Sequence, residues 1–300
     1  MIGLINEFIP VAAEKGLELV PAKVTQVLSE KELIEKLPEY DGWIIGDDPA
    51  TRDVFISGKS GKLRAAVKWG IGVDNVDFAA CKDLGIPITN TPMMFGAEVA
   101  DIALAYVIGL ARHLFFIDRE NHISENAWPK PAGISLAGKK IGVIGLGDIG
   151  THLVKRLLAC EMEVTAYDPG VPSNAVPGIE RADWPVKTNE MDFLVFTCSL
   201  NAANHHMLDE KVLQKCKKGV YVVNVSRGPL IDENALINAL NAKQVAAAAL
   251  DVFEEEPLSN NSPLRKMPMN ILGAHNGSNT KDAVRRASLL AIDRLDAFFK

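Results

Sequence analysis

Three hundred residues, 48% apolar and 23% charged, make an ordinary globular composition with room for two domains of ~150 residues. The formal net charge of −6, with no basic block longer than a few residues, argues against a nucleic-acid or anionic-membrane surface. Cys81, Cys160, Cys198 and Cys216 show no CxxC or Cys/His ligand spacing, so no metal site is expected and free thiols in a reducing compartment are.

The opening MIGLINEFIPVAAEKG lacks a basic segment ahead of a long apolar stretch, and no secretory signal is expected. The most apolar helix candidate, Ile102 to Ala111 between Asp101 and Arg112, is far short of the ~20 residues of a membrane span. A cytoplasmic protein with no membrane partner is the expectation.

From Met1 to about Met94, apolar runs alternate with amphipathic stretches: Ile2–Ile5, helix-like Glu30–Leu37, Gly42–Ile45, Leu63–Trp69, Phe78–Leu84 and Ile86–Thr89. Such alternation predicts a parallel sheet covered by helices. An uncharged helix over Asp101–Arg112 and a loop around Trp128–Gly133 lead into a cleaner series. Strand Lys140–Ile144 precedes helix Asp148–Cys160 and strands Glu163–Tyr167 and Phe193–Cys198. Helix Asp209–Cys216, strand Val220–Val225, helix Glu233–Leu240, and strands Val245–Asp251 and Asn270–Ala274 follow. Repeated units of this length predict a doubly wound α/β domain. The last periodic helix, Asn279–Phe299, has to cover something, and is predicted to return to the N-terminal domain. The fold class is therefore α/β: two doubly wound parallel-sheet domains, Rossmann- or flavodoxin-like, with a cleft between them. Their expected bounds are 1–95 with 278–300, and 96–277.

Residues 141–150 read IGVIGLGDIG, placing Gly145, Gly147 and Gly150 as GxGxxG between an apolar strand and a helix start. The first glycine permits the tight turn, the second admits a pyrophosphate to the backbone, and the third lets helix pack on strand. Unpaired N–H groups of the helix start suit the phosphates. Asp168 ends the next strand, eighteen residues beyond Gly150 and close to the ~20 expected of a ribose-binding acid. A carboxylate there accepts from a ribose 2′-hydroxyl and repels a 2′-phosphate, which selects NAD over NADP. An Asp-Pro-Gly is also a turn in its own right. The spacing makes 96–277 the NAD-binding domain and leaves substrate binding to the other.

Removing a hydride from an alcohol needs a base for the hydroxyl proton and a cation for the carboxylate. In doubly wound sheets such groups stand at the C-terminal ends of strands. His113, His122 and His152 fall on or beside helices, and His205-His206 follow a strand only after a long turn. His275 stands at a strand end, ILGAH, where it serves either as general acid/base or as a cap for the next helix. Arg227 closes strand VYVVNVS before Gly228-Pro229 and is placed to offer a planar fork, whereas Arg156 and Arg294 read as solvated helix-face residues. One of Glu254, Glu255 and Glu256 beside His275 would orient its ring and stabilise its protonated form.

These segments resemble the D-isomer-specific 2-hydroxyacid dehydrogenase family, which includes phosphoglycerate dehydrogenase, glyoxylate reductase and D-lactate dehydrogenase. The likeness runs through KWGIGVDNVD (68–77), GIPITNTP (85–92), VADIALAYVIGLAR (99–112), the glycine turn, VNVSRGPLID (223–232), ALDVFEEEP (249–257) and AHNGSNT (274–280). It implies Arg227, Glu256 and His275 as the catalytic residues, Glu256 being the acid immediately before the proline. It further implies cofactor contacts at Asp148 and Ile149 of the turn, Ser199 and Asn204 of the adenine-side loop, Val225 and Ser226, and Asp251 and Gly277 beside the nicotinamide. Backbone amides around Ile71 and Gly72 would bind the substrate carboxylate together with Arg227, and Lys68 matches a cationic substrate-side position. Ala274 stands where the family usually has proline, Glu98 where serine is common, and Ser199, Asn201 and Asn204 replace a Pro/Thr loop. Gly46-Asp47-Asp48 follows an early strand where phosphoglycerate dehydrogenases carry an arginine, and would repel phosphate.

The resemblance implies an NAD-dependent oxidoreductase acting on a small D-2-hydroxy or 2-keto acid. It also implies a homodimer formed through Asp101–Arg112 and the Trp128–Gly133 arm. Two alternatives stand beside it: an NAD(H)-sensing interaction protein like the family's corepressors, and a same-fold dehydrogenase for formate or phosphite.

Overall fold

A computed structural model describes residues 2–24, 27–125, 128–171 and 176–300. The chain divides into two units, Met1–Phe95 with Asn279–Lys300, and Gly96–Ser278.

In the first unit a 3-10 turn, Ile2–Leu4, runs into helix α1 (Ile5–Glu14). Then come α2 (Glu30–Lys36), β1 (Gly42–Ile45), α3 (Arg52–Ser60), β2 (Ala65–Lys68), α4 (Phe78–Asp83) and β3 (Ile88–Asn90). Ser29 opens α2 with a capping box: its hydroxyl accepts from the Glu32 amide while Glu32 accepts from its own, a device worth about 1 kcal/mol. The three strands pair in parallel in the order β1-β2-β3, Gly42 opposite Ala65 and Ala66 opposite Ile88. Strand residues alternate between faces. Ala66 faces Leu33, Val54, Phe55 and Ala80 of the intervening helices, whereas Ala65 and Val67 face Ala291 and Leu295 of the C-terminal helix, Lys281–Phe299. That helix returns to the first sheet, as its periodicity predicts, and supplies the layer that the short helices leave open. The apolar run Ile2–Ile5 is not a strand. Ile5, Phe8, Ile9 and Ala12 follow a 3.6-residue stripe, and Phe8 and Ala12 bury against Val284 and Ile292.

The second unit holds α5 (Gly96–Arg112), α6 (Leu114–Ile123), β4 (Lys140–Ile144), α7 (Asp148–Ala159), β5 (Glu163–Tyr167), β6 (Glu180–Arg181) and β7 (Phe193–Phe196). It continues through α8 (Glu210–Lys215), β8 (Val220–Asn224), α9 (Glu233–Asn241), β9 (Val245–Leu250) and β10 (Ile271–Leu272). All seven strands are parallel, in the order β10-β9-β8-β7-β4-β5-β6. The order reverses between β4 and β7, and a reversal of this kind opens a crevice at the strands' C-terminal ends. Neither α6 nor β6 was legible in the pattern: α6 buries none of its residues and β6 is two residues long.

Two arginines read as solvated are engaged. Arg156 of α7 donates Nε to Asp101 Oδ1 at 2.7 Å and Nη1 to the His152 carbonyl at 2.8 Å. Arg294 donates to Thr89 Oγ1 at 2.8 Å, tying the C-terminal helix to β3. A helix face that looks polar in isolation still meets its neighbour's strand ends. Burial pushes the Cys81 thiol up to about 12 and those of Cys198 and Cys216 to about 11, and all four cysteines are free. Among the described residues no single helix is long and apolar enough to cross a membrane.

Candidate active site

The glycine turn lies at the reversal of the large sheet. Gly145 follows β4 with φ +101, and a Cβ there would sit 2.6 Å from the backbone of Cys198, just beyond β7. Thr197 joins the same two strand ends, its hydroxyl donating to the carbonyls of Ile144 and Gly145 at 3.1 and 2.8 Å. A Cβ on Gly150 would lie 2.0 Å from the Gly145 carbonyl oxygen, so this residue lets α7 start hard against the turn. Gly147 differs. It is the N-cap of α7, no side chain caps it, and a Cβ there would meet nothing within 4 Å. The helix start thus offers its N–H groups to an open cradle, the geometry a pyrophosphate requires.

Around this cradle the residues expected to contact the cofactor fall as follows. Asp148 and Ile149 form the first turn of α7, and the Asp148 carboxyl packs where a Cβ of Gly96 would be. Asp168, at the end of β5, accepts from the Leu146 amide at 2.7 Å and the Gly170 amide at 2.8 Å. It therefore braces both the glycine turn and its own Asp-Pro-Gly turn. Asn204 donates to the Ser199 carbonyl at 2.8 Å and accepts from the Asn201 amide at 2.7 Å, closing the loop after β7. The Val225 amide donates to the Phe196 carbonyl at 3.3 Å, and the Ser226 hydroxyl donates to the Cys198 carbonyl.

Arg227, Glu256 and His275 rise from the C-terminal ends of the adjacent strands β8, β9 and β10. Buried Asn224 shapes the Arg227 turn, donating to its carbonyl at 2.8 Å and accepting from the Ser226 amide at 3.1 Å. Arg227 Nη1 donates to the Ser226 carbonyl at 2.9 Å. The next residue, Gly228, lies so close to the following loop that a Cβ would sit 1.9 Å from the Phe253 carbonyl group. That loop carries Glu256. One Glu256 oxygen accepts from the Phe253 amide at 3.0 Å, and the other meets His275 Nδ1 at 2.7 Å. With Nδ1 engaged by a carboxylate, proton exchange falls to Nε2. His275 does not cap the next helix, a task Thr280 performs.

Asp251, 2% exposed at the end of β9, holds the loop beyond the histidine. Its carbonyl accepts from the His275 amide at 2.6 Å, and its carboxylate accepts from the amides of Asn276 at 3.2 Å and Gly277 at 2.8 Å. A third donor is the Tyr106 hydroxyl at 3.2 Å, reaching up from α5. Burial, then the Asp251 charge, keeps that phenol protonated by raising its pKa. Sequence reasoning treated α5 as a plain apolar helix and missed Tyr106. A tyrosine inside such a helix was the available signal, because its hydroxyl must find a buried partner.

In the first unit, Lys68 is 2% exposed, its ammonium donating to the Gly46 carbonyl at 2.5 Å and lying 3.4 Å from Asp47 Oδ1. Ile71 is exposed and Gly72 half-buried on a loop fastened at both sides. The Gly70 amide donates to Thr91 Oγ1 at 2.7 Å, and Asn75 donates to the carbonyls of Gly46 and Asp48.

An open helix start, braced by an acid at the next strand end, with a carboxylate-backed imidazole at the C-terminal edge of the same sheet, is the architecture of a dinucleotide-dependent dehydrogenase. Residues 104–277 match the model of the D-isomer specific 2-hydroxyacid dehydrogenase NAD-binding domain. The chain is 34% identical over 273 residues to the hydroxypyruvate reductase of Thermotoga maritima, covering 89% of this chain and 88% of that one. It is also 34% identical to the D-3-phosphoglycerate dehydrogenase of Methanocaldococcus jannaschii over 93% of its length, but spans only 53% of that protein. The crystal structure of the TT0316 protein from Thermus thermophilus superposes with a TM-score of 0.90 at 27% identity, covering 98% and 93% of the two chains. The chain belongs to the D-isomer-specific 2-hydroxyacid dehydrogenase family, and its cofactor is NAD.

The cradle yields a direct expectation. Gly147→Ala should fold with an unchanged Tm, because its Cβ enters open space, yet bind NADH more weakly by tenfold or more, about the 1.4 kcal/mol of one hindered phosphate contact. Fluorescence titration with NADH checks it, and parental affinity would show that the pyrophosphate lies elsewhere.

Proposed function

We propose that this protein interconverts a small D-2-hydroxy acid and its 2-keto acid, with Arg227, Glu256 and His275 as its catalytic residues. The observation that carries the assignment is the 2.7 Å contact of His275 with Glu256 on the strand next to the one bearing Arg227. Bound NAD supplies or accepts the hydride. The Arg227 guanidinium grips the substrate carboxylate in two parallel bonds and draws electron density toward the reacting oxygen. In reduction, protonated His275 gives its Nε2 proton to that oxygen, and Glu256 steadies the imidazolium beforehand through Nδ1. In oxidation Nε2 takes the hydroxyl proton back. The segment 1–95 with 278–300 serves the substrate through the amides of Ile71 and Gly72, and Lys68 adds positive potential. Asp148, Ile149, Gly150, Asp168, Ser199, Asn204, Val225, Ser226, Asp251 and Gly277 line the NAD site, and Asp168 favours NAD over NADP.

Asp47, beside Lys68, offsets that potential and supports a substrate with a small uncharged substituent, such as glyoxylate, pyruvate or hydroxypyruvate, over a phosphorylated one. The purified protein with NADH should oxidise it in the presence of at least one of these acids and leave phosphohydroxypyruvate the poorest. Absorbance of NADH at saturating acid is the readout. Turnover confined to formate or phosphite with NAD, or no turnover with any acid, would overturn the assignment.

Leu114, Phe115, Ile123 and Trp128 stand exposed on α6 and the following arm, Trp128 at 75%, and a second copy of the chain is the proposed occupant of this apolar face. Four free thiols fit a reducing compartment, the cytoplasm.

A further inference from the structure

His206, set aside in the sequence because a long turn separates it from its strand, meets the catalytic loops by a second route. Its amide donates to the Pro229 carbonyl at 2.8 Å, two residues beyond Arg227, and Leu208 pairs in parallel with Ile231. Its ring Nε2 meets Glu254 Oε1, two residues before Glu256. The Glu254 amide in turn reaches Glu233 Oε2 at 3.4 Å. The loop after β9 thus carries two glutamates, each holding one histidine: Glu254 holds His206, and Glu256 holds His275. Both histidines have left-handed backbones, φ 52 and 51, which a non-glycine residue keeps only where its surroundings enforce it.

An exposed ion pair of this kind usually contributes little. Here four observations point further. Both side chains are about two-thirds covered, at 35% and 29% exposed. Gly228 touches the Phe253–Glu254 backbone, so any drift of Glu254 moves the Arg227 turn as well. Glu233, Glu254 and Glu255 crowd together: burial above all, with the charges of the other two, pushes the Glu233 carboxyl upward against the lowering effect of the Glu254 amide. His205 stacks on His206 at 4.0 Å from the same loop. The His206 ring is placed to hold Glu254 to the Arg227 side.

We infer that His206 is a positioning residue that fastens the loop bearing Glu256 to the turn bearing Arg227, through Glu254. The inference rests on the reaction proposed above. His206→Ala should lower kcat for keto-acid reduction about three- to tenfold, the effect of one hydrogen bond of ordinary worth, and leave the KM for NADH unchanged. His206→Gln, which keeps a donor at similar reach, should recover most of the loss. H206A/E254A should be no worse than the poorer single variant, since both remove the same link. Parental kcat in H206A, losses that multiply in the double variant, or no recovery in H206Q would each overturn the inference. Should H206A fail to fold, H206Q and E254Q carry the same comparison. Absence of turnover in the parent protein would sink the proposed reaction instead. The fastening would then be read from the ring 15N resonances of His275, which should shift in H206A and would overturn the inference by staying put.

Discussion

His275→Gln should lose about 10²–10⁴ of its keto-acid turnover while binding NADH as the parent does, the range that general acid/base catalysis contributes. The size follows from what remains. Arg227 can still hold the carboxylate, so substrate binds, but the oxygen receiving negative charge has water alone to protonate it. The loss should therefore appear in kcat far more than in KM. Glu256→Gln should fall short of this, because an amide oxygen can still accept the Nδ1 proton while the charge behind the ring is removed, at the cost of the bond from the Phe253 amide. Steady-state rates of NADH oxidation for the two variants, with circular dichroism to confirm folding, make the comparison. Parental turnover in H275Q would remove the imidazole from the mechanism.

How much of this was legible before the structure depends on the range of the interaction. Gly150 and Asp168 are constrained by contacts within one strand–turn–helix–strand unit, and the spacing of the glycine turn points to them; Gly145 is also held against Cys198 beyond β7. The return of the C-terminal helix follows from a similar necessity: an amphipathic stripe must bury somewhere, and Ala65 and Val67 present the face that receives Ala291 and Leu295. Reading failed where partners are distant in sequence and carry no periodicity. His206 and Glu254 lie 48 positions apart and meet through the order of β7, β8 and β9, while Tyr106 and Asp251 lie 145 apart and meet because α5 packs on β9. Lys68 shows the same limit from the other direction. Its charge was visible, but its engagement by the Gly46 carbonyl and Asp47 depends on β1 and β2 pairing so that Ile45 stands opposite Lys68. At the N-terminus the error was one of period. The short run Ile2–Ile5 fits a strand until Phe8, Ile9 and Ala12 are counted with it.

Arg227→Ala separates the binding task from the proton-transfer task, and its expected signature differs from that of His275. Two charge-assisted bonds to a carboxylate, at roughly 1.5–3 kcal/mol each, correspond to about 10²–10⁴ in kcat/KM. Because the guanidinium touches the carboxylate in ground and transition states but the reacting oxygen chiefly in the latter, the loss should divide: KM for the keto acid rises and kcat falls. Arg227→Lys should recover only part of it. An ammonium keeps the charge but not the planar fork, and its shorter reach has to cross the same turn that Asn224 and Gly228 hold in place. Added guanidinium ion offers a further check, since a cavity left by the alanine variant can take it up and regain activity in a concentration-dependent way. NADH affinity should stay at the parental level in both variants, because the pyrophosphate cradle proposed at Gly147 is at the start of α7, on the strand end of β4 rather than β8. An R227A protein whose kcat/KM matches the parent would mean that another cation holds the carboxylate, and the assignment of Lys68 as an auxiliary group would have to be reversed.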